Sequence, residues 1–329
     1  MKRVLIGILM VFATAPAAWA EGKAVGRVIS YLSATSEKEG DATTSNLDMI
    51  ALPDLGYEAS TSAGDLEAYG TVRVQLAEEG SYTLLDQYVT LTWPGVQFYF
   101  GHEEFMDLTH SGTQYLLWVD NSHTAGDWGM EGGENILQAT LGGLRLRYGI
   151  NGFTEENTSE AYRKNYSSLS FETEGDISFA LGVTAADSLV DADQSPTLVG
   201  GDLDGRAETS AWGGLAASWS EGSSLSLNLQ LGTSQSGIAS QDPAVESRGI
   251  LILNQAVGSG GITLALGNTS TDDGSANPTL GSHLDLGWCL GLTDSAHLWT
   301  AYSATQTKDD DTNTDLASSE AALGLLYQF

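Results

Sequence analysis

Apolar and polar side chains alternate along most of this 329-residue chain. In residues 225–231, four leucines alternate with serine, asparagine and glutamine, and the same period recurs in 66–76, 144–150, 177–184 and 284–290. A period of two places successive side chains on opposite faces of a β-strand. Because it recurs in independent segments of about 8–10 residues, the length of a tilted transmembrane strand, the pattern predicts a sheet that crosses a membrane.

The segments between the alternating stretches are of two kinds, which take turns along the chain. Seven are short: 62–65, 94–95, 142–143, 173–176, 220–223, 257–261 and 292–296. Eight are longer and polar: 35–46, 78–83, 103–133, 151–164, 186–206, 233–247, 268–281 and 305–319. These connections predict about sixteen strands, and short turns on one rim with long loops on the other are typical of outer-membrane barrels.

The face that meets lipid follows from the cost of unpaired polar groups. The bilayer core holds no water, so every strand edge must be paired and the sheet must close. The Leu, Val and Phe face then points outward, and Arg, Asp, Gln and Ser line the lumen. The predicted fold is therefore all-β: a transmembrane antiparallel barrel of about 16 strands, wide enough for an aqueous channel.

The first 20 residues have the order of a secretory signal peptide. Lys2 and Arg3 precede an apolar run over 4–15, and residues 18–20 (Ala-Trp-Ala) provide a small-x-small cleavage site. That order predicts cleavage there and export of a barrel domain over 21–329. No later stretch approaches the roughly 20 apolar residues that a membrane helix needs.

The chain is strongly acidic, with 43 Asp and Glu against 13 Lys and Arg and a formal net charge of −30. So few cations argue against binding to a nucleic-acid backbone. The single cysteine, Cys289, excludes an intramolecular disulfide framework. No cofactor and no defined metal site are predicted, although the acidic loops leave loose binding of divalent cations open.

The C-terminal strand, residues 321–329, alternates and places Tyr327 and the terminal Phe329 on its outward face. Residues 86–102 combine two alternating segments around a Pro-Gly turn, and 134–144 lead into the next short turn. These three segments resemble the Gram-negative trimeric general-diffusion porins. The resemblance implies a homotrimer, a third loop folded into the lumen, and a C-terminal signal, Phe329 with Tyr327, that the outer-membrane assembly machinery reads.

In the resembled family, acids of the third loop face wall arginines across a narrow constriction. Three arginines fall on the polar face of strands with clear alternation, and a fourth lies on the first strand, where the parity is ambiguous: Arg73, Arg145, Arg147 and Arg27. The segment 103–134 carries no Lys or Arg, and the resemblance selects four of its acids: Glu103, Glu104, Asp107 and Asp120. The alternative is that the arginines merely pair with neighbouring carboxylates of the wall.

The predicted function is passive diffusion of small hydrophilic solutes and ions across the outer membrane of a Gram-negative bacterium. The acidic excess predicts a mild preference for cations. No recognisable nucleophile motif accompanies the five histidines, so an enzyme is not expected. Two alternatives stay open: a substrate-selective channel and a non-conducting structural or adhesive barrel. Outer-membrane lipids and lipopolysaccharide are the expected surroundings.

Overall fold

The computed structural model describes nine segments of the chain: residues 21–40, 42–76, 82–106, 130–154, 161–190, 206–235, 244–272, 278–309 and 314–329. The predicted signal peptide, residues 1–20, lies outside them. The described segments form sixteen strands: β1 (Glu21–Glu39), β2 (Ala42–Ala63), β3 (Leu66–Leu76), β4 (Tyr82–Trp93), β5 (Val96–Met106), β6 (Met130–Leu141), β7 (Leu144–Thr154), β8 (Ala161–Glu172), β9 (Ile177–Val190), β10 (Arg206–Ser220), β11 (Ser223–Gln235), β12 (Ala244–Val257), β13 (Gly260–Asp272), β14 (Thr279–Thr293), β15 (Ala296–Asp309) and β16 (Thr314–Gln328). Within these segments no helix is long and apolar enough to cross a membrane.

The sixteen strands form one closed barrel in which each strand pairs antiparallel with its neighbours in sequence. The first and last strands close it, in a register that runs from Arg27 opposite Gln328 to Glu39 opposite Leu316. The number of strands and the antiparallel topology predicted from the alternation are therefore confirmed. A barrel of this strand number is wide enough to hold water.

The outer face of the barrel carries the large apolar side chains. On β11, the four leucines of 225–231 are 42–58% exposed, whereas the intervening Ser226 and Asn228 are at most 2% exposed. The other strands repeat this pattern, with Leu146, Leu181 and other large apolar residues exposed at outward positions. Lipid must cover an apolar belt of this kind, because in water every strand would expose large apolar side chains to the solvent.

Aromatic side chains gather on the outer face near the short-turn ends of the strands. Trp93 ends β4, and its ring lies 6.2 Å from that of Phe98, centroid to centroid, in an edge-on arrangement. Similar pairs join Phe171 to Phe179 at 5.9 Å and Tyr327 to Phe329 at 6.2 Å. Girdles of this kind mark the membrane–water interface of outer-membrane barrels.

The seven short turns lie where the sequence predicts them, while the strands reach further into the predicted loops. In the turns, Gly95 (φ 81°) and Gly142 (φ 57°) have left-handed backbone conformations that favour glycine. The predicted loop over 35–46 is wrong, because β1 and β2 stay paired up to Glu39 and Ala42. Both faces of this hairpin are polar, so no alternation reveals the strands, and backbone hydrogen bonds alone extend the ladder.

The barrel is closed by a reciprocal contact between Gly26 and the C-terminal residue. The Gly26 amide donates to the Phe329 carbonyl at 3.0 Å, and the Phe329 amide donates back at 2.9 Å. A Cβ at Gly26 would lie 2.7 Å from the Phe329 ring and 2.9 Å from the Asp54 carbonyl oxygen. Glycine is therefore required here because the terminal ring lies directly on the backbone of β1.

Replacing Gly26 tests this closing contact. We expect Gly26→Ala to lower the free energy of unfolding by about 1–3 kcal/mol, because the added methyl group overlaps both the ring and the carbonyl. Gly249→Ala is the matched control, since its Cβ would meet only Leu229 at 3.4 Å, and we expect a change within about 0.5 kcal/mol. Urea unfolding of the barrel in lipid vesicles measures both. Equal stability of the two variants would contradict the proposed closure.

Candidate functional site: the inner wall of the barrel

The four predicted arginines all occupy inward positions of the barrel. On β1, Tyr31 and Ser33 are buried on the same face as Arg27, whereas Val28 and Leu32 are exposed outward. This settles the ambiguous parity of Arg27. Arg73 on β3 and both Arg145 and Arg147 on β7 likewise alternate with outward apolar residues, among them Leu146 at 52% exposure. The inner wall therefore carries all four predicted arginines.

Four charged residues on β1–β4 form a continuous series, here called the charge ladder: Arg27, Asp54, Arg73 and Asp86. The Arg27 guanidinium contacts the Asp54 carboxylate, and the Arg27 amide donates to the same carboxylate at 3.2 Å. Arg73 donates from Nη2 to Asp54 at 3.2 Å and from Nη1 to Asp86 at 3.3 Å. Asp54 is only 2% exposed and is shared by two arginines. A buried carboxylate that accepts from this many donors is fixed in place.

Gly56 explains how Arg73 reaches two carboxylates. Gly56 lies opposite Arg73 across the β2–β3 ladder. A Cβ at Gly56 would come within 2.6 Å of the Arg73 Cγ. The stem of Arg73 therefore lies flat against the backbone of β2, which directs its guanidinium along the wall toward Asp54 and Asp86. The absence of a side chain at Gly56 therefore leaves the space that the Arg73 stem occupies in the charge ladder.

The two arginines of β7 belong to a different part of the wall. Arg145 lies 3.8 Å from the Glu172 carboxylate, and the Arg147 Nε donates to the side-chain oxygen of Gln138. Arg145 is the second residue of β7 after a short turn, whereas Arg73 is the eighth residue of β3. The structure therefore does not bring the four arginines into one cluster: Arg27 and Arg73 are together, and Arg145 and Arg147 lie nearer the rim that carries the short turns.

The acids of the predicted constriction are described only in part. Glu103 and Glu104 lie in β5. In the backbone register, Glu103 lies opposite Asp86 of β4 and opposite Gly133 of β6. Asp107 and Asp120 lie outside the described residues, as does the rest of the segment 107–129 predicted to fold into the lumen. The constriction thus stays a prediction.

The inner wall has a closed and an open part. One register row crosses β11 to β15, and its inward side chains are all at most 1% exposed: Ser226, Ile252, Ala265, Asp285 and Ser303. On β3–β8 most described inward side chains are half-buried, among them Arg73, Tyr88 and Arg147. The accessible polar surface of the lumen therefore lies mainly along β3–β8.

Part of the closed wall is apolar, which sequence reasoning missed. Trp299 is fully buried and its ring lies 5.5 Å from that of Tyr31, with Ile29 and Leu326 in the same cluster. On β1 the alternation is poor, because apolar residues on both faces hide the period of two, whereas β16 beside it alternates clearly. Poor alternation beside a well-formed neighbour is thus a usable signal for an inward apolar patch.

Two buried carboxylates on the closed wall were also missed as site candidates. Glu320 is 7% exposed and accepts a hydrogen bond from the Ser33 hydroxyl at 2.5 Å, and Asp285 is fully buried on β14. The signal was present in the sequence, since both occupy inward positions of strands that alternate. Within the described segments no three His, Cys, Asp or Glu side chains come together as a metal-ligand set.

Many solved structures are similar to this chain, among them outer-membrane porins and channels. The anion-selective porin from Comamonas acidovorans matches with a TM-score of 0.66 at 13% identity, covering 94% of this chain and 100% of that one. The outer membrane channel DcaP of Acinetobacter baumannii matches with 0.65 at 15% identity, covering 95% and 99%. OmpF of Salmonella typhi, in complex with daunomycin, matches with 0.60 at 12% identity, covering 94% and 97%. No sequence-family model and no curated protein matches the chain.

The class of protein follows from the fold and the outer face together. A closed 16-stranded antiparallel sheet with an exposed apolar belt is an outer-membrane β-barrel. Within that class, this chain has the fold of the Gram-negative outer-membrane porins and channels.

The shared carboxylate of the charge ladder makes a specific prediction. We expect Asp54→Asn to lower the free energy of unfolding by about 1–3 kcal/mol, because two partly exposed arginines lose a buried partner. Asp86→Asn is the matched control: within the described residues its carboxylate forms an ion pair with Arg73 alone, and it is more exposed than Asp54, so a loss of less than about 1 kcal/mol is expected. Urea unfolding compares them. A larger loss for Asp86→Asn would show that Asp54 does not hold the ladder together.

Proposed function

We propose that this barrel is a porin, a water-filled channel through which small hydrophilic solutes and ions diffuse across the outer membrane with a mild preference for cations. The accessible polar wall along β3–β8, inside a closed barrel of sixteen strands, carries this proposal. Such a wall holds water and offers hydrogen-bonding groups to a passing solute. Diffusion requires no bond chemistry and no cofactor, so we propose no enzymatic activity.

The preference for cations rests on how the wall charges are paired. Five inward cations each lie against a carboxylate of a neighbouring strand or residue: Lys23 against Glu58 at 3.1 Å, Arg27 against Asp54, Arg73 against Asp54 and Asp86, Arg145 against Glu172, and Arg248 against Glu246 at 3.2 Å. Because these five positive charges are compensated locally, they leave little basic surface free to attract anions. Asp285 and Glu320 add further inward carboxylates.

The constriction predicted from the resemblance is part of the same proposal. Arg27 and Arg73 supply its basic wall through the charge ladder, and Arg145 and Arg147 extend that wall toward the short-turn rim. Glu103, Glu104, Asp107 and Asp120 supply the facing acids. Opposed charges across a narrow passage orient polar solutes and exclude apolar ones.

The proposal also covers export and assembly, on the basis of the N-terminal sequence and the resemblance to general-diffusion porins. Residues 1–20 are removed as a signal peptide during export, and the barrel functions as a homotrimer. Phe329, with Tyr327, serves as the C-terminal signal for membrane insertion. Both side chains point outward at the end of β16, each slightly more than half exposed, which leaves them accessible before the barrel is inserted.

The ion preference is tested by the reversal potential of single channels under a KCl gradient. We expect a cation-selective sign that weakens at high salt, as the Debye length falls from about 10 Å at 0.1 M to about 3 Å at 1 M. Asp86→Asn, on the inner wall, is expected to reduce the preference. Asp272→Asn is the control, because Asp272 is exposed at the C-terminal end of β13. We expect this change to leave the preference for cations unchanged.

An anion-selective sign would contradict the cation preference while leaving the porin intact. Absence of any ionic current from a folded, inserted barrel would contradict the porin itself and favour a structural or adhesive role. Liposome swelling with sugars of graded size separates the remaining alternative, because a smooth fall of rate with size indicates general diffusion and a sharp preference indicates a substrate-selective channel.

A further inference from the structure

Three tyrosines line up across neighbouring strands of the open inner wall: Tyr69 on β3, Tyr88 on β4 and Tyr99 on β5. The ring centroids of Tyr69 and Tyr88 are 6.1 Å apart, and those of Tyr88 and Tyr99 are 4.7 Å apart. Each occupies an inward position, on the same face as Arg73, Asp86 or Gln97 of its own strand. We call this row the tyrosine track. It is a continuous aromatic surface on an otherwise polar wall.

The three rings are not equally accessible. Tyr99 is 8% exposed and forms the base of the track, while Tyr69 and Tyr88 are half-buried and keep part of their surface open to the lumen. Contact with Tyr99 holds the Tyr88 ring from one side. A solute moving along β3–β5 therefore meets aromatic surface that is already ordered, so that little side-chain entropy is lost on contact.

Hydrogen-bonding side chains border the track on two sides. Asp86 lies two residues from Tyr88 on the same face and holds the Arg73 guanidinium at 3.3 Å. On the other side, Gln138 lies opposite Tyr99 in the β5–β6 ladder and accepts a hydrogen bond from Arg147. The track is thus an aromatic strip between planar donors and acceptors that are fixed by their own pairing.

This combination fits a saccharide better than other hydrophilic solutes. A pyranose ring has a face of C–H groups that packs on an aromatic ring, and a rim of hydroxyls that exchanges hydrogen bonds with carboxylate, guanidinium and amide groups. A free anion gains less, because Arg73 is already engaged by Asp54 and Asp86. An apolar solute would strip water from the flanking charges without replacing its hydrogen bonds.

We propose that the tyrosine track is a weak saccharide-binding subsite within the channel. The proposal rests on the porin function, since the sugar must reach the lumen, and it deepens that function by naming neutral sugars as a class of solute held on the way. The sugar's C–H face lies against Tyr88 and Tyr69, and its hydroxyls meet the groups on either side. Such contacts slow a sugar during passage without trapping it.

The test is the block of single-channel current by maltotriose in planar bilayers. For the unaltered chain we expect a block that saturates with sugar concentration, whereas sorbitol, an acyclic polyol, produces none that saturates. Tyr88→Ala is expected to weaken the apparent affinity about threefold to tenfold, the range for loss of one stacked ring. Tyr88→Phe keeps the ring and is expected to keep most of the affinity. Tyr302→Ala, which removes an outward tyrosine of β15, is the matched control and is expected to change nothing.

The open-channel current of each variant in KCl reports folding independently of sugar binding, and Tyr69→Ala replaces Tyr88→Ala if the latter does not insert. A steady ionic current with no saturable block by maltotriose would overturn the subsite and leave the porin standing. Equal loss of affinity in Tyr88→Ala and Tyr302→Ala would also overturn it. A barrel that carries no current at all would instead overturn the proposed function, and the subsite with it.

Discussion

Lipid imposes on this chain the requirement that every backbone amide and carbonyl within the membrane find a partner in the chain itself. An open sheet leaves two unpaired edges, so the requirement is met only when β1 pairs with β16. The contact between Gly26 and Phe329 completes that pairing at the very end of the chain. Once the sheet is closed, the side chains have only two environments, lipid outside and the lumen inside, and the period of two assigns each residue to one of them.

The inner wall then divides into parts with different consequences. Fully buried inward side chains on β11–β15, together with the cluster around Trp299 and Tyr31, make one side of the barrel a packed surface. Polar side chains remain accessible on the other side, and the charge ladder anchors Arg73 there between two carboxylates. A wall whose cations are compensated by adjacent anions has strong fields only at short range. The proposed preference for cations rests on this local pairing and not on the fold, which is shared with an anion-selective porin.

Sequence reasoning predicted the features that follow from having only two environments, lipid outside the barrel and the lumen inside it. The leucines of β11 and the seven short turns identified the strand number, because an outward apolar face and a glycine-bearing turn leave local signals. The hairpin joining β1 and β2 was wrongly predicted as a long loop, since both of its faces are polar and only backbone pairing defines it. Arg27 was assigned to the correct strand, but the sequence did not show which face of the sheet it occupies. The reason is that the apolar residues Ile29 and Tyr31 share its inward side.

The partnerships within the wall were beyond reach of the sequence pattern. Asp54 binds Arg27 and Arg73 through a register in which residues 27 and 54 lie directly opposite one another and Gly56 lies opposite Arg73. Alternation gives the face of each residue, and it does not give the register between strands. For the same reason the tyrosine track could not be foreseen: Tyr69, Tyr88 and Tyr99 become neighbours only once β3, β4 and β5 are aligned.

The account depends on which face of the sheet meets lipid, and thiol accessibility along one strand measures this directly. In a Cys289→Ala background, which removes the single native cysteine, cysteines are placed singly at Ser168, Leu169 and Ser170 of β8 and exposed in liposomes to a charged, membrane-impermeant thiol reagent. The account predicts rapid labelling at 168 and 170, which face the lumen, and none at 169, which faces lipid. Labelling at 169 as fast as at its two neighbours would contradict it.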